Sequence, residues 1–238
     1  MIMRIPMRYV LLIAIAIPFG LAGCFKLARE SPRLQLYALG GGSAGATPTT
    51  TVGTTTAAHG PLTIGLRRLV LASYLSVPSV MMRRGENQLE ASQFHRWGGD
   101  LDEGINRAVG AYLAGMPPVR AVDVAPWPSG VRHNFLVQLH VSRFEGVADS
   151  AATDGRVHLM AGWDIMRPLD GAVLVRGKTN DRSGVFRVGD FTGLVSGLDA
   201  ALSRLAREIS ACLARFPNDS TPPASCGSVA GGEGSGAR

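Results

Sequence analysis

The 238-residue sequence predicts an α+β fold, with a mostly antiparallel sheet and two helices packed on one face, in a single domain over residues 34–216. Three observations point there. Two stretches, starting near Asp100 and Leu194, repeat apolar residues at helical spacing. Between and before them lie runs in which apolar and polar residues alternate. Strand runs and helical runs are segregated rather than strictly alternating, which argues against a parallel βαβ sheet.

The elements follow in order. Residues 34–39 read as a first strand, and 40–60 as a flexible Gly/Ser/Thr/Ala loop with too few apolar residues to join a core. Residues 62–66 alternate like a strand and lead into Leu69, Val70 and Leu71. Segments 80–84 and 87–91, joined through Gly85 and Glu86, read as a hairpin. Asp100 then caps a helix, with Glu103 completing a capping-box-like start. Leu101, Ile105, Val109, Tyr112 and Met116 form its stripe, and Pro117 and Pro118 stop it. Four strands follow. The first covers 119–124; Val131, His133, Phe135, Val137, Leu139 and Val141 share one phase of the second. Val157, Leu159, Ala161, Trp163 and Ile165 share one phase of the third, and Val173 and Val175 lie in the fourth. Asp154-Gly155 and Asp170-Gly171 read as turns. Leu194, Leu198, Leu202, Leu205, Ile209, Cys212 and Phe216 trace the stripe of a long last helix. Residues 217–238 read as a disordered Pro/Gly/Ser tail.

Composition narrows the function class. At 46% hydrophobic residues the chain can bury a real core, which excludes full-length disorder. Three cysteines exclude a disulfide-rich scaffold. The net charge of +6 comes from scattered arginines, since Lys26 and Lys178 are the only lysines. No dense basic run marks a nucleic-acid partner.

Residues 1–23 read as a lipoprotein signal peptide. Arg4 and Arg8 make a positive start, 9–21 is apolar, and Leu21, Ala22, Gly23 and Cys24 complete a lipobox. Small residues before Cys24 give a peptidase access to the backbone, and the thiol can carry a lipid thioether, with acyl chains such as palmitate anchoring the protein. Residues 24–33 form a lipidated tether. The nine residues after Cys24 span at most about 32 Å when extended, so the domain sits near the membrane. Phe25, rather than an aspartate, after the cysteine favours the outer membrane.

The sequence carries no recognisable catalytic constellation. Gly177-Lys178-Thr179 ends like a phosphate-binding loop, but Ala172 stands where the first glycine is needed and the segment reads as a strand. Gly41 to Gly45 matches a nucleophile-elbow pattern, yet lies in the loop with no strand before it or helix after it. His140 and His158 fall on the polar phase of neighbouring strands and read as exposed, while His133 falls on the apolar phase. No cysteine or carboxylate spacing accompanies them, so no metal or cofactor is expected. Asp100, Asp102 and Glu103 are explained by the helix start. Trp97, Trp127 and Trp163 read as core residues. Cys212 and Cys226 could form a disulfide, but a buried free thiol suits Cys212 better, because its stripe points inward.

The segment after the loop carries a specific pattern: Tyr74, Leu75, Pro78 and Arg83, then Asn87 and Leu89, then Phe94, Arg96, Trp97 and Leu101. It resembles the ABC-type transport auxiliary lipoproteins, the PqiC-like family. Tyr37, Ala38 and Leu39 match that family's first strand, and Arg143, Phe144, Glu145 and Gly146 match a strand end. Residues 203–209 match its last helix. The resemblance covers about residues 34–216. It implies a non-enzymatic outer-membrane lipoprotein facing the periplasm of a Gram-negative cell. Such a protein docks an MCE-domain tunnel protein that carries lipids or other hydrophobic molecules between membranes. Tyr74, Pro78, Arg83, Phe94, Arg96 and Trp97 are then partner-contact or fold-maintaining residues, Cys24 is the lipid attachment, and homo-oligomerisation stays open. Two other readings are an envelope assembly lipoprotein without transport, and a periplasmic hydrolase, for which no nucleophile–base pair is visible.

Overall fold

The computed structural model describes residues 32–41, 60–216 and Cys226. The signal peptide, the lipobox with Cys24, most of the tether, most of the 40–60 loop and the tail other than Cys226 lie outside the described residues.

Ten strands and two helices occur among the described residues. They are β1 (Gln35–Tyr37), β2 (Leu62–Leu66), β3 (Val70–Leu71), β4 (Ser79–Arg84), β5 (Gln88–Trp97), α1 (Leu101–Ala114), β6 (Val119–Val124), β7 (Phe135–Ala148), β8 (Asp154–Met166), β9 (Val173–Asp181), β10 (Val185–Arg187) and α2 (Phe191–Leu213). A single 3-10 turn, Ser73–Leu75, precedes β4.

The sheet is organised around β7. One edge of β7 runs antiparallel to β8 along most of its length. Its other edge takes three strands end to end, all parallel: β2 at Phe135 to Val137, β3 at His140 and Val141, and β4 at Gly146 to Ala148. Outside these, β6 lies on β2, and β5 then β1 lie beyond β4. β8 carries β9 and β10 on its far side. The sheet is therefore mixed, with antiparallel pairing in its long ladders and parallel pairing in several short ones.

Both helices sit on one face. From α2, Leu194, Leu198, Leu202, Leu205 and Ile209 are wholly buried, as the 3.6-residue spacing requires. Each such side chain contributes about 1.5–3 kcal/mol by leaving water. Ile105, Val109 and Leu113 do the same for α1. The Tyr112 hydroxyl donates to Asp199 Oδ2 at 2.7 Å, which joins the two helices, and Gly40 N donates to Asp199 Oδ1 at 2.8 Å.

Several expectations need correction. Asp100 does occupy the N-cap of α1, but its side chain accepts no capping bond, so Asp102 and Glu103 support that helix end through its dipole alone. In α2, by contrast, Asp190 accepts from Gly193 N at 2.9 Å. The second hairpin arm, expected at 87–91, continues to Trp97 because β1 pairs with its last residues in parallel. Val131 and His133 precede β7 rather than belong to it. The expected turn at Asp154-Gly155 is the start of β8, held by β10, where Arg187 faces Asp154 and Phe186 faces Gly155. Gly155 is needed there, since a Cβ would lie 2.6 Å from the Phe186 ring. The turn at Gly171, with φ +70°, is present as expected. Cys212 is not a free thiol: it forms a disulfide with Cys226, whose Cα lies 5.4 Å away. Cys212 does point inward, as its stripe requires, and Cys226 is buried beside it.

Candidate functional site

The site is built by one irregularity in β7. Before it, odd-numbered residues Phe135, Val137, Leu139 and Val141 point into the core. Pairing with β8 then slips, from Val141 opposite Ala161 to Arg143 opposite Met160. Ser142 is thus an extra residue, a β-bulge, and a bulge reverses which face later side chains occupy. Phe144, Gly146 and Ala148 turn to the helix side, and Glu145 turns to the helix-free side. Without the bulge the Glu145 carboxylate would enter the apolar core and Phe144 would lie outside.

Glu145 is nevertheless 0% exposed. Side chains from other elements cover it. Arg83 of β4 donates from Nε to Oε1 at 2.5 Å and from Nη2 to Oε2 at 3.3 Å. The Tyr74 hydroxyl lies 2.8 Å from Oε2 and 3.2 Å from the Ser142 carbonyl. Having one proton, it donates to the nearer, charged acceptor. Arg143 Nη1 stands 3.8 Å from Oε1. The third Arg83 donor, Nη1, holds the Glu86 carbonyl of the hairpin turn at 3.0 Å. Burial, then the Glu145 carboxylate, raises the Tyr74 pKa well above its ordinary 10. The hydrogen bond to Glu145 likewise raises that of Arg83. Tyr74 therefore stays neutral and Arg83 stays charged across the physiological range.

Opposite Glu145 on β8 stands His158. Strand alternation predicts it to be exposed, but in the structure it is only 1% exposed. Its polar-phase position was right, but that face is covered here by neighbours. Its Nε2 lies 2.9 Å from Asn180 Oδ1 and 3.2 Å from Arg182 Nε. Burial lowers its pKa, and the nearby Arg182 and Arg143 cations act in the same direction. His140 is exposed as expected, and His133 is held by Asp123 at 2.9 Å and packed edge-on against Trp127. Among the described residues no cluster of metal-ligating side chains occurs.

The six signature residues divide by role. Tyr74 and Arg83 meet on Glu145. Trp97 is buried and packs its ring 5.8 Å from that of Phe144, while its backbone N–H donates to the Pro78 carbonyl at 2.7 Å. Pro78 thereby holds the end of β5 against the start of β4. Phe94 and Arg96 do not join this group. They project from the opposite side of β5 to His95 and Trp97, because strand side chains alternate. His95 stacks on Phe191 of α2 at 3.9 Å, so Phe94 and Arg96 face away from that helix. Phe94 is 38% exposed, and Arg96 makes no side-chain hydrogen bond or ion pair among the described residues. Beside them, Leu34, just before β1, and Leu36, on β1, are more exposed than Phe94, with Leu36 at 63%. Leu36 lies opposite Arg96 in register, so these residues form one apolar ribbon with a cation at its end.

Sequence reasoning did not single out Glu145 or His158 as site residues. The available signal was a glutamate inside the strand-end pattern of Arg143, Phe144, Glu145 and Gly146, in a strand otherwise rich in apolar residues.

The family model of the ABC-type transport auxiliary lipoprotein component matches residues 44–210, most of the chain. The chain belongs to this family. It is accordingly an envelope lipoprotein, anchored to membrane, that serves as an auxiliary component of transport. Among solved structures, a Xanthomonas campestris protein of the DUF330 family is similar at 13% identity, with TM-score 0.51, covering 62% of this chain and 81% of its own. A second, described as an uncharacterized protein, has 14% identity and TM-score 0.52, covering 65% and 94%. These likenesses concern the fold. No curated protein matches the chain. In the auxiliary lipoprotein the first part of the signature, Tyr74 and Arg83, is thus an internal clamp on Glu145, whereas Pro78, Phe94 and Arg96 are exposed.

Proposed function

We propose that this lipoprotein is a non-enzymatic docking subunit of an MCE-type transport system for lipids or other hydrophobic molecules. It is attached through Cys24 to the outer membrane and faces the periplasm. The observation that carries this reading is the exposed ribbon of Leu34, just before β1, Leu36 on β1, and Phe94 and Arg96 on β5. β1 pairs only with β5 among the described residues, so its outer edge offers free backbone donors and acceptors beside apolar side chains. A partner strand or loop laid along that edge would gain both. The ribbon begins where the tether ends, so a partner seated there is held close to the membrane.

The test pairs binding with stability, because loss of either reduces activity in cells. Full-length lipidated protein and an MCE partner are co-purified in detergent. Phe94→Asp and Arg96→Glu are expected to abolish co-purification while leaving the unfolding curve unchanged. Cys24→Ser is expected to release the protein from the membrane without altering its fold. Retained binding in both ribbon variants, or binding losses that follow losses of stability, would refute the docking surface.

A further inference from the structure

The helix-free face carries a second feature that the docking reading does not use. Beside the Glu145 clamp lies a cleft of about 470 Å³, within the ~300–1,000 Å³ usual for small-ligand sites. Four guanidinium groups line it, and they come from three directions. Arg83 comes from β4, Arg143 and Arg156 from β7 and β8, and Arg182 from the loop after β9. Two carboxylates, Glu86 on the rim and Glu145 beneath Arg83, oppose them, which leaves an excess of two positive charges.

The arginines differ in how they are held. Arg83 is committed to Glu145. Arg143 shares that carboxylate only at 3.8 Å. Arg156 and Arg182 have no carboxylate within ion-pair distance among the described residues. Arg156 Nη1 reaches the Arg182 carbonyl at 3.5 Å, and Arg182 Nε rests on the His158 ring at 3.2 Å. These two cations are thus placed by weak, neutral acceptors rather than neutralised. Guanidinium groups in this number, converging on a concave surface with a charge excess, match an anion with several oxygens. A planar fork of donors pairs with two oxygens at once, and a tetrahedral phosphate offers more oxygens than a carboxylate.

We propose that this cleft binds a phosphate group, with Arg143, Arg156 and Arg182 as its ligands and Arg83, fixed by Glu145, as its floor. The proposal stands independently of the docking surface, which lies on β1 and β5. Two sources share the chemistry: free phosphate and the headgroup of an anionic phospholipid.

The experiment uses the full chain in detergent at fixed ionic strength. It is titrated calorimetrically with inorganic phosphate, with short-chain phosphatidylglycerol below its micelle concentration, and with short-chain phosphatidylcholine as a zwitterionic comparison. Saturable phosphate binding with no gain from the lipid assigns the site to free phosphate; tighter binding of phosphatidylglycerol than of either other probe assigns it to a headgroup. The variant carrying Arg156→Gln and Arg182→Gln changes two exposed residues outside the Glu145 clamp, so the fold is retained. It is expected to weaken binding at least about tenfold, since each lost charged hydrogen bond is worth on that order. Arg176→Gln lies outside the cleft and removes the same kind of charge; it is expected to leave the affinity unchanged. Absence of saturable binding by any probe overturns the proposal. So does an affinity in the double variant within about twofold of wild type, or equal losses in the double variant and Arg176→Gln, which would mark general attraction to a basic surface.

Discussion

Arg83→Ala tests whether the signature arginine is a structural clamp. In the native protein the Glu145 carboxylate, with no exposure, accepts two bonds from Arg83, at 2.5 and 3.3 Å, and one from Tyr74 at 2.8 Å. Truncation removes the two from the cation. Arg143, at 3.8 Å, is too far to replace them with hydrogen bonds. A buried ion stripped of its partner destabilises by about 3–5 kcal/mol. Arg83 lies near the surface, its side chain 11% exposed, so water can partly fill the gap and the lower end, about 3 kcal/mol, applies. For a domain of this size that lowers Tm by roughly 6–12 °C. Glu145→Gln keeps the shape but discards the charge, and is expected to be milder, about 1–2 kcal/mol. Replacing both residues with methionine removes the ion and its stranded partner together, and is expected to recover most of the loss. Urea unfolding followed through the buried Trp97 and Trp163 measures all three variants. The reasoning fails if Arg83→Ala unfolds within about 1 kcal/mol of wild type, or if the double methionine variant is no more stable than Arg83→Ala.

Two further perturbations address the disulfide and the histidine. Cys226→Ser opens a loop of 14-residue separation and is expected to destabilise by about 3 kcal/mol in urea, with reductant lowering wild type to the same level and leaving the variant unmoved; equal midpoints with and without reductant would remove the bridge from the account of stability. His158 has a folded pKa below its ordinary 6.5, so the unfolded chain takes up the proton first, and stability is full above that value and falls as pH drops below it. His158→Gln is expected to flatten the urea midpoint between about pH 7 and 5, and an unchanged slope would mean that His158 is not a source of that pH dependence.

Local period made much of the fold legible. The stripes of α1 and α2, the alternation of β2 and β8, and the short β6 each follow from residues within one element. What was not legible depends on a partner distant in sequence. β5 continues to Trp97 only because β1 pairs with it. β10 is three residues long and is defined by Arg156, Gly155 and Asp154 opposite it. The Cys212–Cys226 bridge joins α2 to a cysteine in a Pro/Gly/Ser-rich stretch whose composition carries no core periodicity. The site suffered most from one residue. Val137, Leu139 and Val141 gave the phase of β7 correctly, but that phase carried forward would place Glu145 among the helices. Ser142 has no composition that marks it as a bulge; it is fixed by the registers on either side of it.

That bulge also decides which residues can report on function. It exposes Glu145 to the helix-free face, where Tyr74 and Arg83 must cover and neutralise it. Both side chains are engaged inside the protein: the Tyr74 proton goes to Glu145, and three of the five Arg83 N–H donors go to Glu145 and to the Glu86 carbonyl. A partner that drew either side chain away from Glu145 would break this clamp, against the same stranded-charge penalty of about 3 kcal/mol that Arg83→Ala incurs. Trp97 is closed off in another way, by burial against Phe144. Variants at these three positions should therefore lose partner binding only in proportion to lost stability. Phe94 and Arg96 bear neither constraint. One displays an apolar ring and the other an unpaired cation, so they can be changed without opening the core or stranding Glu145. A binding defect at those two positions with an intact unfolding curve would belong to the interface itself.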